Sequence, residues 1–123
     1  MRYVFAFFAL LMVLAVAVQY NDPDGPLWML YYGVAAVWAS LAAFRPHIPA
    51  AGMGRGLLGA TLVAAVALTI FYWPPAEGWW HQEVWWESEE SREGMGMMIV
   101  TVVLVAVLAA SFARRRSAVE ASR

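Results

Sequence analysis

Two short groups of polar side chains are the part of this sequence best suited to chemistry. They are Asn21, Asp22 and Asp24 in one segment, and Glu90, Arg92 and Glu93 in a second. The amide and carboxylate oxygens are hard ligands of the kind that calcium and similar cations prefer. A glutamate beside an arginine can also serve as a general base, but no nucleophile or second acid that would complete such a site can be identified. The chemistry that these groups could carry out is therefore that of a small binding protein or a metal-dependent enzyme with a carboxylate site for a divalent cation, although no catalytic centre or cofactor is evident.

The first group also fits a tight turn that holds no ligand. Pro23 keeps Asp22 out of the helical region, and Asp24 precedes Gly25-Pro26, where a new helix can begin. The spacing only superficially resembles an EF-hand loop, since the glycine and the distant glutamate of that motif are absent. A helix cap is therefore the favoured interpretation of Asp24, and cation binding is the alternative.

The second group lies where a later helix is expected to begin. Ser88 is placed as its N-cap, with Glu89 and Glu90 in the first turn. Arg92 lies three residues after Glu89, a spacing at which the two can pair. Because Arg92 is the one base among eight acids on its side of the chain, we also expect it to contact the aspartates of segment 21–24. Such a contact would clamp that turn to the helix.

The elements that must position these groups are membrane helices. Of the 123 residues, 63% are hydrophobic and 14% are charged, which is too apolar for a water-soluble globule of this size. The charges bound four uncharged runs, 3–21, 25–44, 56–76 and 94–113, each about long enough to cross a bilayer as a helix. We predict one all-α membrane domain, a four-transmembrane-helix antiparallel bundle. Its expected parts are helices near 3–20, 27–44, 56–73 and 95–113, outer loops 21–26 and 74–94, an inner loop 45–55 and a tail 114–123.

The arginines predict the orientation of this bundle. Lysine is absent, and seven of the eight arginines fall on one predicted side, whereas Arg92 shares the other side with eight acids. The seven are Arg2, Arg45, Arg55, Arg114, Arg115, Arg116 and Arg123. The positive-inside rule then predicts that both termini are cytoplasmic, N-in/C-in, in a bacterial inner membrane. An alternative is that Met1-Arg2 and the apolar stretch ending at Ala17 form a signal peptide, but that stretch exceeds the roughly 7–15 residues usual for one.

The predicted spans contain small and hydroxyl-bearing residues but no Asp, Glu, Lys, Arg or His. Ala35, Ala39 and Ala43 recur at four-residue spacing, and Gly94 and Gly96 begin the fourth span. Such residues allow close helix packing in lipid, and the threonines of the spans are expected to bond neighbouring helices or their own backbone. The absence of acidic, basic and histidine side chains argues against a proton-coupled transporter or a channel with a charged filter.

Aromatic residues are concentrated at the predicted outer side, where ten of the twelve Tyr and Trp residues fall. Two tryptophan pairs, Trp79-Trp80 and Trp85-Trp86, are spaced to lie on one side of a short interfacial helix. The predicted interaction rim comprises Asn21, Asp22, Asp24, Trp28, Trp79, Trp80, Trp85, Trp86, Glu90, Arg92 and Glu93. This asymmetry favours an accessory subunit that contacts lipid and docks to another membrane protein or to a second copy. The net charge of −1 gives no basic field for nucleic acid, and the absence of cysteine excludes disulfides and thiolate sites.

Two motifs give the chain a family resemblance. The segment Gln19-x-Asn21-Asp22-Pro23-Asp24, followed by Trp28, and the segment Glu90-x-Arg92-Glu93-x-x-Gly96 resemble the transmembrane protein 220 family. Phe44-Arg45-Pro46 fits the break that follows the second helix in that family. The resemblance implies a four-helix membrane protein and implies no particular reaction.

Overall fold

The architecture, in a computed structural model that describes residues 2–122, is entirely helical. Helices contain 82% of the described residues, and no strand occurs among them. The elements are α1 (Arg2–Ala17), α2 (Gly25–Phe44), α3 (His47–Ala50), α4 (Gly52–Phe71), α5 (Gln82–Glu87) and α6 (Glu89–Ala121). The predicted all-α class is therefore confirmed. Arg123, counted above among the inner arginines, lies outside the described residues.

Three helices, α2, α4 and α6, are long and apolar enough to cross a membrane. The first helix, α1, is also apolar but has 16 residues, so it is about 24 Å long at the usual rise of about 1.5 Å per residue. That length is somewhat less than the roughly 30 Å of a bilayer core. The predicted helix near 3–20 thus stops at Ala17, because the chain turns before Pro23.

The last helix is much longer than the predicted span 95–113. It contains 33 residues, about 50 Å at a rise of about 1.5 Å per residue, which exceeds the thickness of a bilayer core. Its start is set by the predicted cap, which is confirmed: the Ser88 hydroxyl accepts a hydrogen bond from the Ser91 amide at 3.1 Å. No glycine or proline follows residue 113 to end it. The uncharged run 94–113 is long enough to span the core, so the charged first turn and the arginine tail extend beyond it.

The long helix α6 packs against both α2 and α4, and α1 packs against α2. Ala35 and Ala39 of α2 are fully buried, as are Leu58 of α4 and Leu104 of α6. Since lipid provides little hydrophobic drive for helix association, close packing of small residues stabilises such contacts. The predicted role of the α2 alanines in packing is confirmed.

Hydroxyl groups join α4 to α6 within this packed region. The Thr69 and Thr101 hydroxyl oxygens are 2.8 Å apart, and Thr69 also donates to the Ala65 carbonyl at 2.8 Å. Thr61 donates to the carbonyl of Leu57, four residues before it. Both predicted uses of the threonines, between helices and to the backbone, therefore occur.

Candidate functional site

The turn between α1 and α2 folds back closely on itself. The Asp22 amide donates to the Gln19 carbonyl at 3.2 Å, and the Gly25 amide donates to the Asp22 carbonyl at 3.0 Å. A Cβ atom on Gly25 would collide with the Gln19 carbonyl oxygen, so this turn requires glycine there. Asp24 occupies the N-cap position of α2, as predicted, but its carboxylate makes no capping hydrogen bond. The two carboxylate oxygens of Asp24 are therefore free of any capping bond to the helix.

Three carboxylates converge where the starts of α2 and α6 meet. Asp24, Glu89 and Glu93 each offer one oxygen atom, and these oxygens all lie within 4.8 Å of one another. The four-residue spacing of the two glutamates puts them on one face of α6, and the packing of α2 against α6 brings Asp24 to that face. Asp24 and Glu93 are half-buried, whereas Glu89 is exposed. Oxygen donors this close together can hold a hard divalent cation.

A cavity of about 260 Å³ adjoins the three carboxylates. Its lining residues are Gln19, Asp22, Asp24, Trp28, Tyr32, Glu89, Arg92 and Glu93. The Trp28 side chain is only 3% exposed, and it packs edge-on against Tyr31 with ring centroids 5.1 Å apart. Its buried indole N–H forms no hydrogen bond of standard geometry within the described residues, although it lies close enough to Glu93 to affect that carboxyl. The wall of the cavity thus contains a buried donor near the Glu93 carboxyl.

The Glu93 carboxyl is the most perturbed acid of the site. Burial is the main reason that its pKa rises from 4.5, and a hydrogen bond with Asp24 and the negative charges of Asp24 and Glu89 raise the pKa further, to about 7. The Trp28 indole N–H lowers the pKa and only partly offsets these effects. Near neutral pH, Glu93 therefore holds a proton in part of the molecules and can donate it to the Asp24 carboxylate.

Arg92 does not make the predicted clamp. Its Nη1 atom donates to the backbone carbonyls of Trp85 at 2.9 Å and Trp86 at 2.7 Å, at the end of α5. Within residues 2–122 the one ion pair joins Arg116 to Glu120 in the tail, so Arg92 pairs neither with Glu89 nor with the aspartates of the turn. The prediction is wrong because α5 presents two carbonyl oxygens that lack helical partners, and these attract the guanidinium.

The structure places only some of the other predicted cation ligands at the site. Asp22 lines the cavity, whereas Asn21 and Glu90 are exposed and outside the group of three carboxylates. The sequence predicts Glu89 only in the first helical turn and in a pair with Arg92, whereas the structure also places it beside Glu93. The four-residue spacing of the two glutamates was the available signal for it.

The tryptophan-rich segment is not one helix, contrary to the prediction. Trp85 and Trp86 lie in α5, with stacked rings 5.4 Å apart. Trp79 and Trp80 lie in a turn that follows Gly78, whose φ is +70°, a conformation that favours glycine. Trp80 and Trp86 are 60% and 64% exposed. The predicted outer loop 74–94 is thus partly helical, since it includes α5 and the start of α6.

The comparisons with known proteins agree with the motifs. A family model described as "Transmembrane family 220, helix" matches residues 7–109. Searches of the curated proteins and of the solved structures found no match. The matched range contains all of α2 and α4 and both acidic segments of the site. Because it extends over most of the chain, and as the two motifs predicted, the protein belongs to the transmembrane 220 family.

Proposed function

We propose that this protein binds a divalent cation, of the calcium or manganese class, at one end of a membrane helix bundle. The observation that carries the proposal is the convergence of Asp24, Glu89 and Glu93. Arg92, the base beside them, is bonded to the carbonyls of α5 and forms no ion pair within residues 2–122. Like charges at this distance repel, and a bound cation or proton relieves the repulsion.

The surroundings supply what a hard cation needs beyond three carboxylates. Calcium takes about six to eight oxygen ligands, including amide oxygens and waters. Gln19 and Asp22 line the same cavity, which is large enough for several water molecules. The buried Trp28 N–H makes no hydrogen bond of standard geometry within residues 2–122 but lies near the Glu93 carboxyl, and a cation-bound carboxylate or water would be a suitable acceptor for it. Donors of this kind orient metal ligands in many sites.

A titration of the purified protein in detergent tests this proposal. At pH 8, where Glu93 is mostly ionised, added Ca²⁺ or Mn²⁺ is expected to raise the melting temperature. A cation at about 100 times its Kd stabilises a folded state by about 2.7 kcal/mol. Glu89→Gln is expected to weaken binding about tenfold or more, because even outer-shell partners of metal ligands typically contribute that much. The matched control is Glu90→Gln, which removes the neighbouring exposed carboxylate and is expected to bind as the unaltered protein does. A melting temperature that does not change at millimolar cation would contradict the proposal. An equal loss of cation affinity in Glu89→Gln and Glu90→Gln would also contradict it.

We also infer that the chain crosses the membrane four times, with α1 as a retained span and both termini in the cytoplasm. The apolar side chains of α1 that do not face α2 support this inference, since Phe7, Leu10 and Leu14 are each more than half exposed and suit contact with lipid. The turns that follow Ala17 add length to the short helix. The arginine distribution supports the orientation and a bacterial inner membrane as the location.

Single cysteines test this topology without background labelling, because the chain has none of its own. In intact spheroplasts, an impermeant maleimide is expected to label Gln82→Cys, between the third and fourth spans, but not Ala118→Cys in the tail. Both side chains are exposed in the folded protein. After permeabilisation both variants should react. Labelling of Ala118→Cys from outside would exclude the N-in/C-in arrangement.

A second candidate function is docking to a larger membrane assembly, or to another copy, through the aromatic and acidic end. The observation that favours it is the exposure of Trp80 and Trp86, since more than half of the surface of each side chain is left uncovered. Tryptophan is enriched in protein interfaces. A monodisperse monomer after mild detergent extraction, with no co-purifying protein, would contradict this candidate and would leave the cation site unaffected.

A further inference from the structure

A second cavity lies at the end of the bundle opposite the carboxylate site. It has a volume of about 450 Å³ and lies between α1, the end of α2 with α3, and the last turns of the 94–113 run of α6. Its walls are mainly apolar and include Phe5, Ala43, Val107 and Ala110. Three of these side chains are buried between the helices. The alanines leave room here that larger side chains would fill.

The mouth of this cavity is basic. Arg2 begins α1, and Arg114 is the first residue of α6 after the uncharged run, so both guanidinium groups lie at the same end of the bundle. Within residues 2–122 neither forms an ion pair, and Glu120 is paired with Arg116 at 3.4 Å. Two positive charges therefore face the mouth without a carboxylate partner in the described part of the chain.

The order of these features matches the shape of a phospholipid. Residues of the uncharged run form an apolar wall at the depth of lipid tails, and Arg114 follows at the depth of the headgroups. An arginine guanidinium presents donors in a planar fork that fits phosphate oxygens. Basic pockets between membrane helices at the cytoplasmic side bind lipids with anionic headgroups.

We infer that this groove binds an anionic phospholipid, with an acyl chain along Phe5, Val107 and Ala110 and the headgroup phosphate between Arg2 and Arg114. The apolar wall distinguishes this ligand from free phosphate, which would contact only the mouth. The two unpaired arginines distinguish it from a zwitterionic lipid, whose ammonium group would meet a positive surface. The site is separate from the cation site and does not depend on it.

Native mass spectrometry of the protein from mixed micelles tests the inference. With equal phosphatidylglycerol and phosphatidylcholine present, phosphatidylglycerol adducts are expected to dominate. Arg114→Gln is expected to lower the phosphatidylglycerol affinity about fivefold, the effect of one basic residue near a membrane surface. Ala110→Leu, which fills the apolar wall, is expected to reduce adducts of both lipids. Inorganic phosphate at the same concentration as the lipid is expected not to compete.

The matched control is Arg115→Gln, which removes the same charge one residue later but lines a different cleft, with Phe112 and Glu120. It is expected to leave the lipid preference unchanged. An equal loss of phosphatidylglycerol affinity in Arg114→Gln and Arg115→Gln would show a diffuse charge effect and would contradict a specific site at Arg114. Displacement of the lipid by inorganic phosphate would identify a free-anion site and overturn the lipid assignment. Should Ala110→Leu fail to fold, the two arginine variants still decide between these outcomes.

Discussion

In the absence of divalent cations, the melting temperature of this protein is expected to fall as the pH rises from about 4.5 to about 7. Glu93 has a pKa of about 7 in the folded protein, above its ordinary value of 4.5. In that pH range the folded state therefore binds more protons than the unfolded state, and stability decreases as the pH rises. The stabilisation is fully present below pH 4.5, the ordinary pKa of the carboxyl in the unfolded chain. It is lost as the pH rises through the folded-state pKa of about 7. The titratable and charged groups that line the cavity with Glu93 are Asp22 and Asp24 of the turn, Tyr32 of α2, and Glu89 and Arg92 of α6.

The variant Glu93→Gln is expected to remove most of this pH dependence, because the amide does not ionise and can still donate to Asp24. Glu90→Gln, which removes an exposed acid outside the site, is the control and is expected to retain it. Thermal unfolding in detergent with a chelator, from pH 4.5 to pH 8, measures the slope for all three proteins. A slope in Glu93→Gln that equals that of the unaltered protein would contradict the assignment. Saturating Ca²⁺ is expected to reverse the slope in the unaltered protein, since the cation binds the ionised carboxylate.

Replacement of Gly94 by alanine is expected to destabilise the bundle by about 1–3 kcal/mol, the usual cost of overpacking a closely packed interior. A Cβ atom there would lie 2.5 Å from the Tyr72 carbonyl oxygen and 2.5 Å from the Pro74 ring. Alanine normally favours a helix over glycine by roughly 0.5–1 kcal/mol. The collision includes a backbone atom that cannot rotate away, so it outweighs that gain. The chain after α4 must therefore move away from α6.

Gly59 of α4 provides the matched control, because a Cβ atom there meets nothing within 4 Å. Gly59→Ala is expected to be neutral or to stabilise the protein by up to about 1 kcal/mol through helix propensity. The two variants are compared by reversible denaturation in the same detergent. If Gly94→Ala were as stable as Gly59→Ala, α6 would not pack closely against the segment after α4.

Much of this protein could be predicted from the positions of a few charged residues. Membrane helices must exclude charge, so the uncharged runs indicated the apolar segments that became α2, α4 and α6. Local rules were also sufficient for the Ser88 cap, because capping depends on residues within one turn. The family motifs located both acidic segments, and the family match includes them.

The partners of the charged groups could not be predicted in the same way. The excess of acids predicts carboxylate partners for Arg92, yet its guanidinium donates to backbone carbonyls of α5. The choice depends on where α5 ends relative to α6, which sequence spacing does not specify. The two tryptophan pairs likewise lie in different elements, Trp79-Trp80 in the turn after Gly78 and Trp85-Trp86 in α5. The six-residue spacing does not indicate this separation.

The sequence by itself determined the kind of molecule, its apolar segments and the end of the bundle where its acids collect, because these follow from composition and from distances along one helix. Only the tertiary structure decided which acids meet. Glu89 and Glu93 share a helix face, but Asp24 joins them only because α2 packs against α6. Contacts between distant segments depend on how helices pack, and the same packing that brings the three carboxylates together buries Glu93 and raises its pKa to about 7.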